Sequence, residues 1–194
     1  SWFVFFLIIE KMGVLELAVS NLIRSVLVAY FIPINGFAAA TSTFVGFLFG
    51  SKHTDRIMPF VGRSLWLTCL SILIVVIPVL LFPHAILGIF SKESEIIEAA
   101  LPIIYLISVS IFLQAIGNIL FYAVMGLGRT IQAFYIDLSV LALYILFVWV
   151  VALGLRGTLL QVWCAEFVYG GLLIVLLLSY IHYLRKRRLF ASLS

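Results

Sequence analysis

Apolar residues occur in long runs along this chain, and polar residues are nearly all confined to the short gaps between them. The runs are about 20 to 30 residues long, and a typical gap is the polar stretch 51–56. A helix crosses the roughly 30 Å hydrocarbon layer of a bilayer in about 20 residues. The pattern predicts an all-α integral membrane protein, because a transmembrane β-barrel would show short segments of alternating hydrophobicity instead.

The polar gaps divide the chain into one partial helix and five complete crossings. The first apolar run is too short to span a bilayer, so residues 1–12 are interpreted as the end of a helix whose beginning is missing. The predicted complete helices cover residues 17–50, 57–82, 95–126, 131–154 and 158–184. Together they predict a six-helix transmembrane bundle that occupies residues 1–194.

Composition excludes several other classes of protein. Hydrophobic residues make up 65% of the chain, charged residues make up 10%, and mean hydropathy is +1.28. A soluble domain could not cover this much apolar surface, and a disordered chain would be far more polar. The net charge of +4 comes mostly from the basic cluster 185–188 after the last run. Such a cluster favours contact with anionic lipid over nucleic-acid binding.

The distribution of lysine and arginine predicts the orientation in the membrane. With the C-terminus in the cytoplasm of a plasma or inner membrane, the outer side would hold only three basic residues, Lys11, Lys92 and Arg156. The inner side would hold Lys52, Arg56, Arg63, Arg129 and the basic cluster 185–188. Basic residues concentrate on the cytoplasmic side of membrane proteins, so this orientation is the predicted one.

No pattern typical of a soluble enzyme or of a cofactor site is present in the sequence. Cys69 and Cys164 lie within apolar runs, where thiols behave as small hydrophobic groups. The three histidines are scattered and lack metal-ligand spacing. A glycine-rich phosphate loop with its lysine is also absent, so we predict no cofactor and no nucleotide-driven transport.

Arg24, like Asp137 and Glu166, is an ionisable residue inside a predicted span, where an isolated charge costs at least about 2.5 kcal/mol. It lies one turn after Asn21 on nearly the same face of its helix. Two interpretations are open: the long side chain could reach the outer interface, or it could pair with a group inside the bundle.

Polar side chains also form a stripe on the helix predicted over residues 95–126. Gln114 and Asn118 are four residues apart, so both lie on one face. Asp137 lies about two turns into the following helix, with Tyr144 seven residues later on the same face. The stripe could form interhelical hydrogen bonds or line a cavity for substrate or ion. Asp137 could be solvated near the cytoplasmic end or buried as a proton-carrying group.

Glu166 lies about two turns into the last predicted helix, with Tyr169 on the same face. At that depth a carboxylate needs a partner. Arg24 lies in the same half of the membrane, so an Arg24–Glu166 pair is geometrically possible. Such a pair could hold two helices together, or Glu166 could take part in ion coupling.

Proline and small residues mark the longest predicted helix. Pro33 and Gly36 lie near its middle and predict a kink. Gly46 and Gly50 form a GxxxG step, whose ordinary role is to let two helices approach closely.

Three stretches carry a resemblance to a known family. They are LAVSNLIRSVLVAYFIPINGFAAATSTFVGFLFG, QAIGNILFYAVMGLGRT and VWCAEFVYGG. In their order and spacing they are similar to the eighth, tenth and twelfth helices of multidrug and toxic compound extrusion (MATE) transporters. The resemblance implies a chain that supplies helices seven to twelve, one half of a pseudo-symmetric twelve-helix transporter, with a partner N-terminal bundle of six helices. It further implies export of amphipathic, often cationic compounds in exchange for H⁺ or Na⁺.

The chain departs from the family pattern at two acidic positions. Many members carry an Asp in the tenth helix, and alignment on the Gly126 turn puts Gln114 there, which cannot change protonation. The family's helix-seven Glu would fall before Ser1. Coupling could instead use Asp137, Glu166 or acidic residues of the other bundle.

The leading hypothesis is therefore a secondary active exporter of small organic compounds, and no enzymatic activity is expected. One alternative is a lipid-linked saccharide flippase of related architecture, which should line its cavity with clustered arginines and lysines. Another is a membrane-embedded enzyme or a noncatalytic membrane subunit. An enzyme should instead gather His, Asp or Glu residues near one interface.

Overall fold

The chain folds into α-helices connected by short turns, in a computed structural model that describes residues 2–186. The helices are α1 (Trp2–Glu10), α2 (Val14–Gly50), α3 (Ile57–Leu81), α4 (Pro83–Phe90), α5 (Ser94–Gly126), α6 (Thr130–Trp149), α7 (Leu159–Trp163) and α8 (Ala165–Lys186). A 3₁₀ turn at Thr54–Arg56 precedes α3, and a π-helical turn at Val150–Gly154 follows α6. Arg187 and Arg188 of the basic cluster lie outside the described residues.

Five helical segments of the described chain are long and apolar enough to cross a membrane. They are Val14–Gly50, Thr54–Leu81, Ser94–Gly126, Thr130–Gly154 and Leu159–Lys186. Many of their large apolar side chains, such as Ile74 and Val109, are exposed on the outside of the bundle. Exposed apolar side chains of this number suit a lipid environment. The prediction of an all-α, multi-pass membrane bundle is therefore confirmed.

The spans alternate in direction, so the bundle has two ends. The end that we name the upper end carries the turn before α2, helix α4 and the turn before α7. The lower end carries the turns at 51–53 and 127–129 and the end of α8. At 127–129 the chain turns sharply, and Gly128 adopts a left-handed φ of 73°, which favours glycine. Asp137 lies toward the lower end and Glu166 toward the upper end.

Helices α2 and α5 share the largest interface and form the centre of the bundle, with α3 and α8 packed beside them. Polar contacts between buried side chains connect α2 to α5 and to α3. The Tyr30 hydroxyl lies 2.9 Å from the Ser108 hydroxyl of α5, and the Thr41 hydroxyl is hydrogen-bonded to Ser64 of α3. Each hydroxyl is satisfied, as buried polar groups in an apolar medium must be.

Buried apolar residues form two clusters, stacked one above the other along the helices. In α2 the upper cluster ends at Ile34 and the lower cluster begins at Ala38. In α5 the boundary lies between Ala115 and Ile119. Helix α6 changes cluster just before Tyr144. The two cores therefore meet at about the middle depth of the spans.

The last predicted helix, residues 158–184, is not continuous. A turn at Cys164 separates α7 from α8, because the Cys164 N–H is shared between the carbonyl oxygens of Leu160 and Gln161, each at 3.2 Å. Thr158 and Gln161 cap the start of α7 reciprocally. Glu166 therefore lies in the first turn of α8 rather than inside a longer helix. The short helix α4 is also absent from the predicted elements.

Proline and glycine positions in α2 have different surroundings. The helix continues through Pro33, so the kink stays a prediction. A Cβ on Gly46 would lie 3.4 Å from the Gly126 carbonyl oxygen of α5, whereas nothing lies within 4 Å of one on Gly36 or Gly50. Gly46 therefore lies close to α5, and the role of the GxxxG step in packing stays a prediction. Gly50, at the exposed end of α2, makes no such approach within the described chain, because α5 ends at Gly126, opposite Gly46.

Candidate functional site

A cavity of about 210 Å³ opens at the level where the upper and lower clusters meet. Its lining combines one carboxyl group, two side-chain amides, four aromatic rings and one leucine. The lining residues are Trp2, Phe31, Gln114, Asn118, Leu141, Tyr144, Glu166 and Tyr169. They come from α1, α2, α5, α6 and α8, so five helices of the bundle form the cavity.

Glu166 is the acidic group of this cavity, and both of its carboxylate oxygens are hydrogen-bonded. The Tyr144 hydroxyl of α6 donates to Oε1 at 3.0 Å, and Gln114 Nε2 of α5 donates to Oε2 at 2.8 Å. Gln114 Nε2 also lies 3.3 Å from the Glu166 main-chain oxygen. All three side chains are buried. Glu166 thus connects three helices through hydrogen bonds, and no cationic side chain among residues 2–186 pairs with it.

A second acid–tyrosine pair lies beside the first, on the lower side. The Tyr169 hydroxyl of α8 donates to Asp137 Oδ1 of α6 at 2.6 Å. The rings of Tyr144 and Tyr169 meet edge to face, with centroids 5.9 Å apart. Asp137 is partly buried, so the structure supports neither a fully solvated nor a fully enclosed carboxylate. The contact between the two tyrosine rings therefore brings the Tyr144–Glu166 pair next to the Tyr169–Asp137 pair.

Aromatic rings close the upper side of the cavity. Trp2 of α1 packs against Phe5, Phe6 and Trp163, with centroid distances of 5.9 to 6.3 Å. Trp163 is fully buried, and its indole N–H donates to the Ser20 hydroxyl of α2 at 3.4 Å. The aromatic packing joins α1, α2 and α7 just above Glu166.

Two glycines let α5 and α8 approach each other beside the cavity. A Cβ on Gly170 would lie 2.9 Å from Leu113 Cβ, and one on Gly117 would lie 2.9 Å from Leu173 Cδ2. This close approach brings Gln114 within hydrogen-bond distance of Glu166. Neither glycine belongs to a GxxxG step, which is why the sequence pattern alone missed them.

Asn21 and Arg24 do not belong to the cavity. Both are exposed, and Asn21 Nδ2 donates to the Leu17 carbonyl oxygen of its own helix. The Arg24 guanidinium lies 5.5 Å from the centroid of the Phe6 ring, in a cation–π arrangement. The proposed Arg24–Glu166 pair is therefore wrong. Helix α2 is rotated so that Arg24 faces Phe6 of α1. Glu166 is hydrogen-bonded to Tyr144 and Gln114 instead.

The other predicted pathway residues do come together. Gln114, Asn118, Tyr144, Glu166 and Tyr169 all line the cavity, and Asp137 contacts it through Tyr169. Asn118 bonds the Gln114 carbonyl oxygen, 3.0 Å away on the same helix. The sequence pattern does not identify the apolar and aromatic part of the lining, Trp2, Phe31 and Leu141. In chains this rich in apolar residues, periodicity cannot separate a cavity-facing ring from a lipid-facing one.

The lining has the chemistry that a small amphipathic molecule or a proton on a carboxyl group would need. Aromatic faces attract organic cations, and a carboxylate adds an opposite charge. No group of three or more His, Cys, Asp or Glu side chains suited to a metal ion is found among residues 2–186.

Comparison with known proteins gives one family match. The sequence model of the family described as MatE matches residues 1–150, which is most of the chain. The matched part includes Gln114, Asn118, Asp137 and Tyr144, whereas Glu166 and Tyr169 follow it. No curated protein matches the chain significantly.

Proposed function

We propose that this chain, which belongs to the MatE family of membrane transporters, takes part in secondary active export of amphipathic organic cations. Membership in the family gives a role in membrane transport. The cavity supports the narrower proposal on substrate, because it combines an acid, amides and aromatic rings at mid-depth. The driving force would be a gradient of H⁺ or Na⁺ across the membrane.

The position of the cavity is the single observation that carries this proposal. It lies where the two apolar clusters meet, roughly halfway along the spans, which is the depth at which secondary transporters commonly bind substrate. A partner bundle of six further helices would complete the binding site from the other side. Rocking of the two bundles would then open the cavity alternately to each side of the membrane.

The lining argues against the alternative of a lipid-linked saccharide flippase. An anionic pyrophosphate-linked substrate would need arginines and lysines, and no described lining residue is either. Arg24, the arginine inside a predicted span, lies over Phe6 and is not among the lining residues. The single charged group of the lining is Glu166, whose sign suits a cation.

The test is transport by the full-length protein in proteoliposomes with the fluorescent cation ethidium as the probe. Imposed pH and Na⁺ gradients are applied separately, and at least one should drive ethidium movement above that of protein-free liposomes. Truncation of a cavity ring, Phe31→Ala, should raise KM about 2- to 30-fold if the ring contributes a typical cation–π energy.

The matched control is Phe47→Ala, on the same helix but exposed outside the cavity. This variant should retain the parent KM. The proposed function would be refuted if neither the pH gradient nor the Na⁺ gradient drives ethidium movement. An unchanged KM for Phe31→Ala would refute the assignment of the cavity as the substrate site.

A further inference from the structure

We infer that Glu166 is the proton-carrying group of this transporter and that the coupling ion is H⁺ rather than Na⁺. The inference rests on the proposed export function and specifies the residue and ion that drive it. Its basis is the arrangement of donors around the Glu166 carboxyl group, which lines the cavity and is buried between three helices.

The charged and titratable neighbours of Glu166 leave it without a counter-charge in the described chain. Helix α6 contributes Tyr144 and, through Tyr169 of α8, Asp137, which adds negative charge rather than positive. Helix α5 contributes the uncharged Gln114 amide, and the Cys164 thiol, two residues before Glu166, donates to the Leu160 carbonyl oxygen instead. The arginine of α2 lies over Phe6. A proton is therefore the simplest neutralising partner for this carboxylate.

The contacts of Glu166 can be kept in both protonation states. In the ionised state the Tyr144 hydroxyl donates to Oε1, and Gln114 donates to Oε2. When a proton binds to Oε1, the carboxyl O–H donates to the Tyr144 oxygen across the same 3.0 Å, because a tyrosine hydroxyl both donates and accepts. Gln114 continues to donate to Oε2. Uptake and release of one proton thus require a rotation of the Tyr144 hydroxyl, which turns its own proton away from Glu166.

Sodium would disrupt this arrangement. Hard cations bind oxygen ligands, whereas Gln114 directs its amide nitrogen at two acceptors, the carboxylate and the main-chain oxygen of Glu166. Presenting the amide oxygen to Na⁺ would require a flip that breaks both contacts. The donor set of the site therefore favours a proton over a metal cation.

The decisive experiment compares acid variants of the full-length protein in proteoliposomes with ethidium. Glu166→Gln should abolish transport driven by a pH gradient, while ethidium exchange in the absence of any gradient persists. The matched control is Glu98→Gln, which removes an exposed acid that faces His84 at the upper end. This variant should behave as the parent protein. The double variant Glu166→Gln with Gln114→Glu returns a carboxyl group to the same site and should regain part of the pH-driven transport.

A second measurement detects the proton without transport. Infrared difference spectra recorded between acidic and alkaline pH should contain a carboxylic acid band that is lost in Glu166→Gln and kept in Glu98→Gln. The inference is overturned if that band is unchanged in Glu166→Gln, if the variant retains pH-driven transport, or if Na⁺ alone drives the parent protein. Ethidium export driven by Na⁺ alone would overturn the inference and leave the proposed function intact. If no ethidium export is found but the Glu166 band is present, the proposed function is refuted and the assignment of a proton to Glu166 is kept.

Discussion

At the scale of single residues, hydrogen-bond partners could not be assigned from sequence. Helical spacing correctly placed Gln114 and Asn118 on one face and suggested that Tyr144 accompanies Asp137. In the structure Tyr144 instead bonds Glu166, and Asp137 bonds Tyr169. Spacing fixes which residues share a face of one helix, but partner choice depends on how neighbouring helices are rotated. The spacing of residues along one helix carries no information about the rotation of its neighbours.

The Tyr144 hydroxyl offers a test at this scale. Tyr144→Phe removes one donor to the Glu166 carboxylate and changes little else in shape. Hydrogen bonds to charged groups contribute about 1.5–3 kcal/mol, so we expect the rate of pH-driven ethidium transport to fall roughly 10- to 100-fold. Initial rates in proteoliposomes measure the effect.

Tyr135→Phe is the control for this prediction, because Tyr135 is on the same helix but exposed on the outside of the bundle. It should transport at the parent rate. Equal rates for both variants would show that the hydroxyl bonded to Glu166 plays no part in coupling.

At the scale of helices, the sequence predicted the spans well and their interruptions poorly. The long runs agree closely with the observed helices because lipid requires continuous helical hydrogen bonding over about 20 residues. The turn at Cys164 was missed, since it contains neither proline nor glycine and arises from one shared N–H. The contact of Gly126 with α2 was also missed, because glycine at a helix end is usually interpreted as a turn residue.

That glycine gives a prediction about packing of α2 against α5. A Cβ on Gly126 would lie 2.5 Å from the Ser42 carbonyl oxygen and 2.9 Å from Val45 Cβ, so part of the clash is with backbone. We expect Gly126→Ala to destabilise the protein by about 1–3 kcal/mol, as overpacked cores do. The lower melting temperature should be measurable in detergent.

Gly62→Ala in α3 is the comparison, because no atom lies within 4 Å of the added methyl group. It should leave the melting temperature unchanged or raise it, since alanine favours the helix. Equal melting temperatures for the two variants would mean that α2 and α5 are not held at the distance described.

At the scale of the whole molecule, composition and periodicity were enough to predict a multi-pass helical bundle. The family match and the five spans agree with that prediction. The arrangement of the two stacked clusters, and the cavity between them, could not be predicted. Both depend on which faces of the apolar helices turn inward, and nearly all faces of these helices are apolar.

The predicted orientation is testable at this scale by cysteine labelling. In the full-length protein with Cys69 and Cys164 replaced by alanine, Lys92→Cys places a thiol at the upper end and Arg56→Cys places one at the lower end. An impermeant maleimide added to intact cells should label only Lys92→Cys. Arg56→Cys should be labelled after permeabilisation, because basic residues favour the cytoplasmic side. The reversed pattern would place the C-terminus outside.

One feature of α2 bears on how the bundle moves. Pro33 lies beside the boundary between the two apolar clusters, and proline cannot donate the hydrogen bond that would close its helical turn. Above it Tyr30 is tied to α5, and below it Thr41 is tied to α3. Flexing at Pro33 would shift Phe31, which lies above it, relative to the lower part of α2 that Thr41 holds to α3, and the width of the cavity at Phe31 would change with it.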